Sequence, residues 1–481
     1  MPELKLGPTC GWDKIRGVFV SEGGFASDAY DCFVVGSGPA GMSVALALAE
    51  VKKRVLIFES GDEQHMRPEL ANSIGYGHFG GEHWNAHSIR MLGGSSNVWA
   101  GQCPTPRHFD WNNPAVGVSW PLRRDDLMPY WKRAAPILDH NPAFVDFERT
   151  LVTGFLYRPL PAAVPTRVGV KYLATLKSSR FLDVAPGRSV ISLEANTARA
   201  SVTRLAYVEH QSQATRHVAV RPTQTVVLSG GGIGNAALLL QPRADGGAPV
   251  GNESGLVGKF LMEHPEFNQA GECVLDLELD RYWPSDNKGR GVHAIIVDDA
   301  LAAERALYGC SLQCTRKNAD DPMARFFTAD TGRPFFHYQI TPRCEMLPSS
   351  ANQVFLTGER DASGYYRPAA RCVLDARDFL NVEQTLRTFG ETLIRLGRGR
   401  VKVNNDRLYR DIQGGGHIMG TTRMGTSRTA SVVDTSCRVH GYDNFFVAGS
   451  SVFPTGAGYA NPTLTIVALA LRLGDTITRR S

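Results

Sequence analysis

The sequence predicts an α/β fold, α+β overall: a nucleotide-binding domain around a parallel sheet, with a second domain on an antiparallel sheet inserted into it. Three observations predict it. Asp31-Cys-Phe-Val-Val35 is a short apolar strand that runs straight into Gly36-Ser-Gly-Pro-Ala-Gly41 and then a helical stretch. A second buried-type strand running into glycines recurs far along the chain at Val226–Asn235. Between and beyond them lie alternating, strand-like pieces suited to an antiparallel sheet.

The first element is a mechanical unit. Gly36 permits the tight turn, Gly38 lets backbone amides approach a pyrophosphate, and Gly41 lets helix and strand pack closely. Pro39 and Ala40 lie inside the turn, and the helix that follows, Met42 to Glu50, offers its unpaired N–H groups to phosphates. The next strand, Arg54-Val-Leu-Ile-Phe58, ends at Glu59, which would accept hydrogen bonds from ribose hydroxyls, with Ser60 beside it. An acid at this place disfavours a 2′-phosphate and leaves NAD and FAD both open.

Arg90-Met-Leu-Gly-Gly-Ser-Ser-Asn-Val-Trp-Ala-Gly101 is a second glycine- and serine-rich loop. The backbone and side chains of Arg90, Gly93, Gly94, Ser95, Ser96, Asn97, Val98 and Ala100 suit phosphates or a cofactor ring. From the residues alone a surface loop is equally open. Val226–Asn235 and the helix Ala236 to Gln241 complete the nucleotide-binding sheet from a distant segment. Val202 to Val220 reads as a hairpin with a polar tip. Val292–Val297, Phe336–Ile340 and Gln353–Leu356 read as strands of the inserted sheet, and Val382 to Leu396 as an amphipathic helix on it.

Composition fits this scheme. A chain of 481 residues exceeds one small core, and 43% hydrophobic with 21% charged residues is ordinary for a globular protein. The net charge of +5 is interspersed, without a basic run, which excludes nucleic acid as a partner. No stretch approaches the roughly 20 apolar residues that span a bilayer; Met42–Val51 and Leu464–Leu473 read as core helices. The start, Met1-Pro-Glu-Leu-Lys5, lacks the charged and apolar regions of a signal peptide. Nine scattered cysteines, an odd number, argue against a disulfide framework. Cys310 and Cys314 lack the partners of a zinc site, so no metal is expected. These features together predict a cytoplasmic protein with reduced thiols.

The carboxyl-terminal stretch reads as one device. It comprises His417-Ile-Met-Gly-Thr-Thr-Arg-Met-Gly425, Arg438-Val-His-Gly441, Asn444 to Thr455, Asn461-Pro-Thr-Leu-Thr465 and the helix Ile466 to Ile477. Ala448, Gly449 and Ser450 end a strand where a ligand crevice is expected. Asn followed by Pro is also what a helix start needs, so capping and catalysis are both open for Asn461. Arg423 and Asp434 are placed to pair and brace the His417 loop; His264 and His440 read as structural.

Taken together, these segments resemble the glucose–methanol–choline (GMC) flavin oxidoreductases. The resemblance rests on the Gly36–Gly41 turn with Glu59, Gly93-Gly-Ser-Ser-Asn-Val-Trp99, Val226–Asn235, Gly255-Leu-Val-Gly258 with Met262-Glu-His-Pro265, and nearly all of 417–477. The forms Arg438-Val-His-Gly441 and Asn461-Pro-Thr-Leu-Thr465 look most like the branch of pyranose oxidases and bacterial glycoside oxidases. The resemblance implies an FAD-binding Rossmann-like domain (residues 26–125, 190–272 and 405–481) and an inserted substrate domain (126–189 and 273–404). It implies alcohol oxidation on a small-molecule sugar, glycoside or aminoglycoside, with the electron acceptor undetermined. His417 and Asn461 correspond to the family's catalytic pair. His417 would accept the hydroxyl proton, and the helix beginning at Pro462 and Thr463 would steady the reduced flavin at its N1/C2 edge. Gly449 and Ser450 would touch the flavin. Val98 stands where some relatives carry a flavin-linking histidine, which implies non-covalent FAD. A biosynthetic dehydrogenase of aminoglycoside-type compounds, a lyase with non-redox FAD, and a flavoprotein reduced to a binding partner are the alternatives.

Overall fold

The computed structural model describes residues 26–62, 73–142, 145–162, 165–196, 200–243, 247–283, 291–318, 320–361 and 364–480. The amino-terminal start and Cys10 lie outside them. The other eight cysteines are free and buried.

A five-stranded parallel sheet organises the nucleotide half. Its strands are β1 (Cys32–Val35), β2 (Val55–Phe58), β3 (Leu182–Ala185), β4 (Thr225–Leu228) and β5 (Phe445–Val447), in the spatial order β5-β4-β1-β2-β3. Phe33 is in register with Leu56 on one side and Val226 on the other. Phe33, Val34, Leu56, Ile57, Val226 and Val227 are fully buried; the helix Pro39–Glu50 packs on the sheet, and the ring of Tyr207, on the antiparallel strand Val202–Glu209, lies 5.3 Å from that of Phe58. Each such side chain contributes about 1.5–3 kcal/mol relative to exposure. The order reverses between β1 and β4, and a crevice opens at the carboxyl ends of these strands.

Helix α1 (Pro39–Glu50) starts directly from the turn, with Gly38 as its N-cap and Pro39 in its first turn. It packs against the last helix of the structure, as α2 (Gly231–Leu240) packs on the other side of the switch point. A β-carbon on Gly474 would lie 2.7 Å from that of Ala47. The two helices therefore approach as closely as a missing side chain allows.

The inserted half is an antiparallel sheet of ten strands among the described residues. Its main path runs Gly399–Val403, Gly271–Leu275, Phe336–Cys344, Cys310–Arg316, Gly291–Val297, Phe155–Tyr157, Arg149–Val152. Helix α3 (Ala376–Arg395) lies on it, started by a capping box between Asp375 and Asp378. Its buried Val382, Leu386, Phe389 and Leu393 repeat at helical spacing, and Phe389 meets Phe155 of the sheet at 4.8 Å between ring centroids.

The structure moves three boundaries. Leu182–Ala185, which the sequence assigns to the substrate domain, is the edge strand β3 of the nucleotide sheet, paired in parallel with β2. Pro265–Phe267, assigned to the nucleotide domain, and Gly271–Leu275, which the expected boundary after residue 272 divides, both belong to the large antiparallel sheet. Gln353–Arg360 leaves that sheet and forms a separate three-stranded one with Tyr366–Cys372 and Ile74–Gly77. The expected hairpin is present, with Val202–Glu209 antiparallel to Ala214–Ala219.

Candidate active site

One cavity of about 450 Å³ runs from the Gly36 turn to His417 and Asn461. Its nucleotide end is made chiefly of backbone. Gly36 holds φ +103°, a conformation that favours glycine. A β-carbon on Gly41 would lie 2.0 Å from the Gly36 carbonyl oxygen, so turn and helix are pressed together. A β-carbon on Gly94 would come within 2.8 Å of the Gly38 Cα, which brings the second glycine loop against the first. The buried Glu59 carboxylate accepts from Ser37 N at 3.0 Å, Ser37 Oγ at 2.6 Å and Gly61 N at 2.9 Å. Burial raises its pKa and these bonds oppose the rise. Arg90 is half-buried near Glu59, Asp361 and Tyr365, and desolvation lowers its pKa.

The sequence-derived residues divide into two groups. Gly36, Gly38, Pro39, Ala40, Glu59, Ser60, Arg90, Gly94, Ser95, Ser96, Val98, Ala100, Gly449, Ser450, Pro462 and Thr463 line this cavity together with His417 and Asn461. Gly41, Gly93 and Asn97 do not line it; they shape the loops behind it. Gly93 donates its N–H to Ser37 Oγ at 3.0 Å, and Asn97 Nδ2 donates to the carbonyls of Leu92 and Gly94. The hydroxyls of Ser95 and Ser96, expected to face a ligand, instead donate to the carbonyl oxygens of His87 and Gly93. They satisfy the loop's own backbone first.

The other end is built of side chains from four distant segments. His417 lies on the loop after Ile412–Gly414, and its backbone N–H donates to Glu263 Oε1 at 2.6 Å. Its Nδ1 lies 2.9 Å from Nδ1 of His264, and its Nε2 lies 3.0 Å from Nδ2 of Asn461. His264 Nε2 lies 2.9 Å from the Gly456 carbonyl oxygen. A carbonyl only accepts, so His264 carries its proton on Nε2 and leaves Nδ1 bare. His417 Nδ1–H must then donate to it. That leaves His417 Nε2 unprotonated, its lone pair accepting from the Asn461 amide.

Arg343 fixes the other side of that amide. Its Nη1 donates to Asn461 Oδ1 at 3.0 Å and to Gln102 Oε1 at 3.1 Å, while its Nε donates to Glu266 Oε1 at 2.6 Å. Asn461 therefore has one orientation, oxygen to Arg343 and nitrogen to His417.

Electrostatics keep His417 neutral. Burial, then His264, Arg343, His87 and His83, hold His417 well below the ordinary histidine pKa. Burial pushes His264 down to about 4. Glu263 is different. Burial opposes its charge, but His83, at 2.8 Å, and the N–H groups of His264 and His417 outweigh that and lower its pKa.

Sequence reading took His264 as structural and left out Glu263, Arg343 and Gln102. Glu263 and His264 stand in Met262-Glu-His-Pro265, a family-like motif that marked the place without showing the contact. Arg343 and Gln102 carry no local signal. The expected Arg423–Asp434 pair does not form: Arg423 stacks on Phe260, and Asp434 pairs with Arg438 at 3.1 Å.

Comparison with known proteins accords with this geometry. The family model described as GMC oxidoreductase matches residues 348–470, and one described as an NAD(P)-binding Rossmann-like domain matches 34–64. Over residues 348–470 the chain is similar to the GMC oxidoreductases. It is 25% identical to 2-methyl-1,2-propanediol dehydrogenase of Mycolicibacterium austroafricanum, over 95% of this chain and 96% of the relative. It is also 25% identical to 6'''-hydroxyparomomycin C oxidase of Streptomyces lividus, over 95% and 92%. Pyridoxine 4-oxidase from Mesorbium loti shares the fold at a TM-score of 0.57 and 17% identity, covering 94% of this chain and 99% of that one. The protein uses FAD and acts as an alcohol oxidoreductase. The cradle fits the cofactor: two glycine loops pressed together, a helix amino terminus, and Glu59 at the end of β2.

Proposed function

We propose that this enzyme oxidises a primary or secondary alcohol on a sugar, glycoside or aminoglycoside, with His417 as the base and Asn461 orienting the hydroxyl. The observation that carries this reading is the bare His417 Nε2, 3.0 Å from the Asn461 amide nitrogen, in the cavity that begins at the dinucleotide turn. A hydroxyl that replaces this contact would donate its proton to Nε2 and accept from Nδ2. Bound FAD supplies the acceptor for the hydrogen that leaves carbon.

The protein's own groups prepare the rest. His417 is neutral at neutral pH, so the lone pair is available without prior deprotonation. Arg343 keeps the Asn461 amide from turning over, which would present oxygen to oxygen. Pro462 and Thr463 present the amino terminus of the last helix, α4 (Thr463–Arg480), to the cavity, where backbone N–H groups would hold the pyrimidine edge of the cofactor. Val98, at the cavity wall, has no nucleophile, so FAD is held without a covalent bond.

Full-length similarity to 6'''-hydroxyparomomycin C oxidase, and to paromamine 6'-oxidase of Streptomyces fradiae at 24% identity, favours an aminosugar or glycoside among these alcohols. An anaerobic screen of sugars, glycosides and aminoglycosides tests the function. A substrate should bleach the oxidised flavin band. Consumption of an alcohol with the band unchanged would point instead to lyase chemistry.

A further inference from the structure

We propose that His264 is the second station for the substrate's proton, taking the Nδ1 proton of His417 as His417 Nε2 receives the hydroxyl proton. This deepens the reading of His417 as base and rests on it. Two observations carry it: the Nδ1–Nδ1 contact of 2.9 Å, and the anchoring of His264 Nε2–H on the Gly456 carbonyl. The step balances. The substrate O–H bond breaks and an Nε2–H bond forms on His417; the Nδ1–H bond of His417 breaks and an Nδ1–H bond forms on His264. The electron pair of the broken O–H bond remains on oxygen, and the positive charge comes to rest on His264.

The surroundings favour that resting place. His417 is faced by His264, Arg343, His87 and His83, all of which oppose a positive charge there. Burial opposes a positive charge on both rings most strongly; beyond it, His264 is faced by Glu263, the Gly456 carbonyl and Asp110, which support one, with Arg343 opposed. Two imidazoles also match in intrinsic proton affinity, unlike a carboxylate behind a histidine, which stays ionised while the imidazole holds the proton. The pair is tightly walled. A β-carbon on Gly456 would lie 3.1 Å from His264 Nε2 and 3.3 Å from Glu345 Oε1. Desolvation, and then Asp110, push the Glu345 carboxyl well above its ordinary range.

Heteronuclear NMR of wild-type protein labelled at the histidine nitrogens reads the proton directly. Before substrate, in apoprotein and holoenzyme alike, His417 should be protonated on Nδ1 and His264 on Nε2. After anaerobic reduction by substrate, His264 should be protonated on both nitrogens and His417 on Nε2 alone. A doubly protonated His417 beside an unchanged His264 overturns the proposal, as do the reverse resting tautomers. His264→Asn, whose amide oxygen still accepts from His417 Nδ1–H, should slow flavin reduction about 10-fold, short of the roughly 10²–10⁴-fold of a lost base. An unchanged rate in that variant also overturns it. If His417→Ala reduces its flavin normally, the base assignment itself fails; if that variant is inactive while the NMR result is negative, only the relay fails.

Discussion

The two ends of the cavity are made by different means. At the nucleotide end, residues 36–41 and Glu59 are nearly contiguous, and what they offer a ligand is mostly backbone N–H groups and the absence of side chains. At the other end, His264, Arg343, His417 and Asn461 come from four segments, and each offers a side-chain atom in one orientation. The first end tolerates any residue that leaves the backbone path open. The second tolerates many backbone neighbours and almost no change in the named atoms.

Substitutions can break this contrast. The largest effect is expected for His417→Ala: FAD stays bound, while flavin reduction by substrate falls about 10²–10⁴-fold in stopped-flow absorbance. Gly41→Val should do the reverse. Its β-carbon would meet the Gly36 carbonyl at 2.0 Å, against an overpacking cost of about 1–3 kcal/mol or more, and the purified protein should be pale and melt earlier. Arg343→Lys is a smaller change. An ammonium cannot reach Glu266, Gln102 and Asn461 together, so reduction should slow roughly 10-fold with FAD content unchanged.

The smallest effect is on stability against pH. His264 has a folded pKa of about 4, below the value of about 6.5 it has when unfolded. Acid therefore protonates the unfolded chain first, and stability present above about pH 6.5 is lost as pH falls toward the folded pKa. The melting temperature of wild type should drop more steeply over that interval than that of His264→Asn.

The same contrast explains what the sequence disclosed. The Gly36 turn, Glu59 and the strands beside them were legible because local spacing alone defines them. Helix α3 was legible from its apolar repeat. Strand β3 was not, because it is four residues long with Asp183 inside it; that carboxylate accepts from Tyr30 Oη at 2.9 Å and Arg54 Nη2 at 3.2 Å at the sheet edge. The Ser95 and Ser96 hydroxyls misled because a loop's own carbonyls compete with any ligand. His417 and Asn461 were visible as motif residues, but the groups that orient them were not. Arg343 meets Asn461 across 118 positions of chain, and no local pattern reports such a contact.

Strand β5 is the outer neighbour of β4, and α4 lies against α1, so the crevice that opens at the Gly36 turn is completed by residues 445–480. During synthesis the amino-terminal glycines emerge long before their neighbours exist. Cofactor capture must therefore wait until β5 and α4 have been made and have folded back onto the early turn, so the two distant segments assemble as one unit.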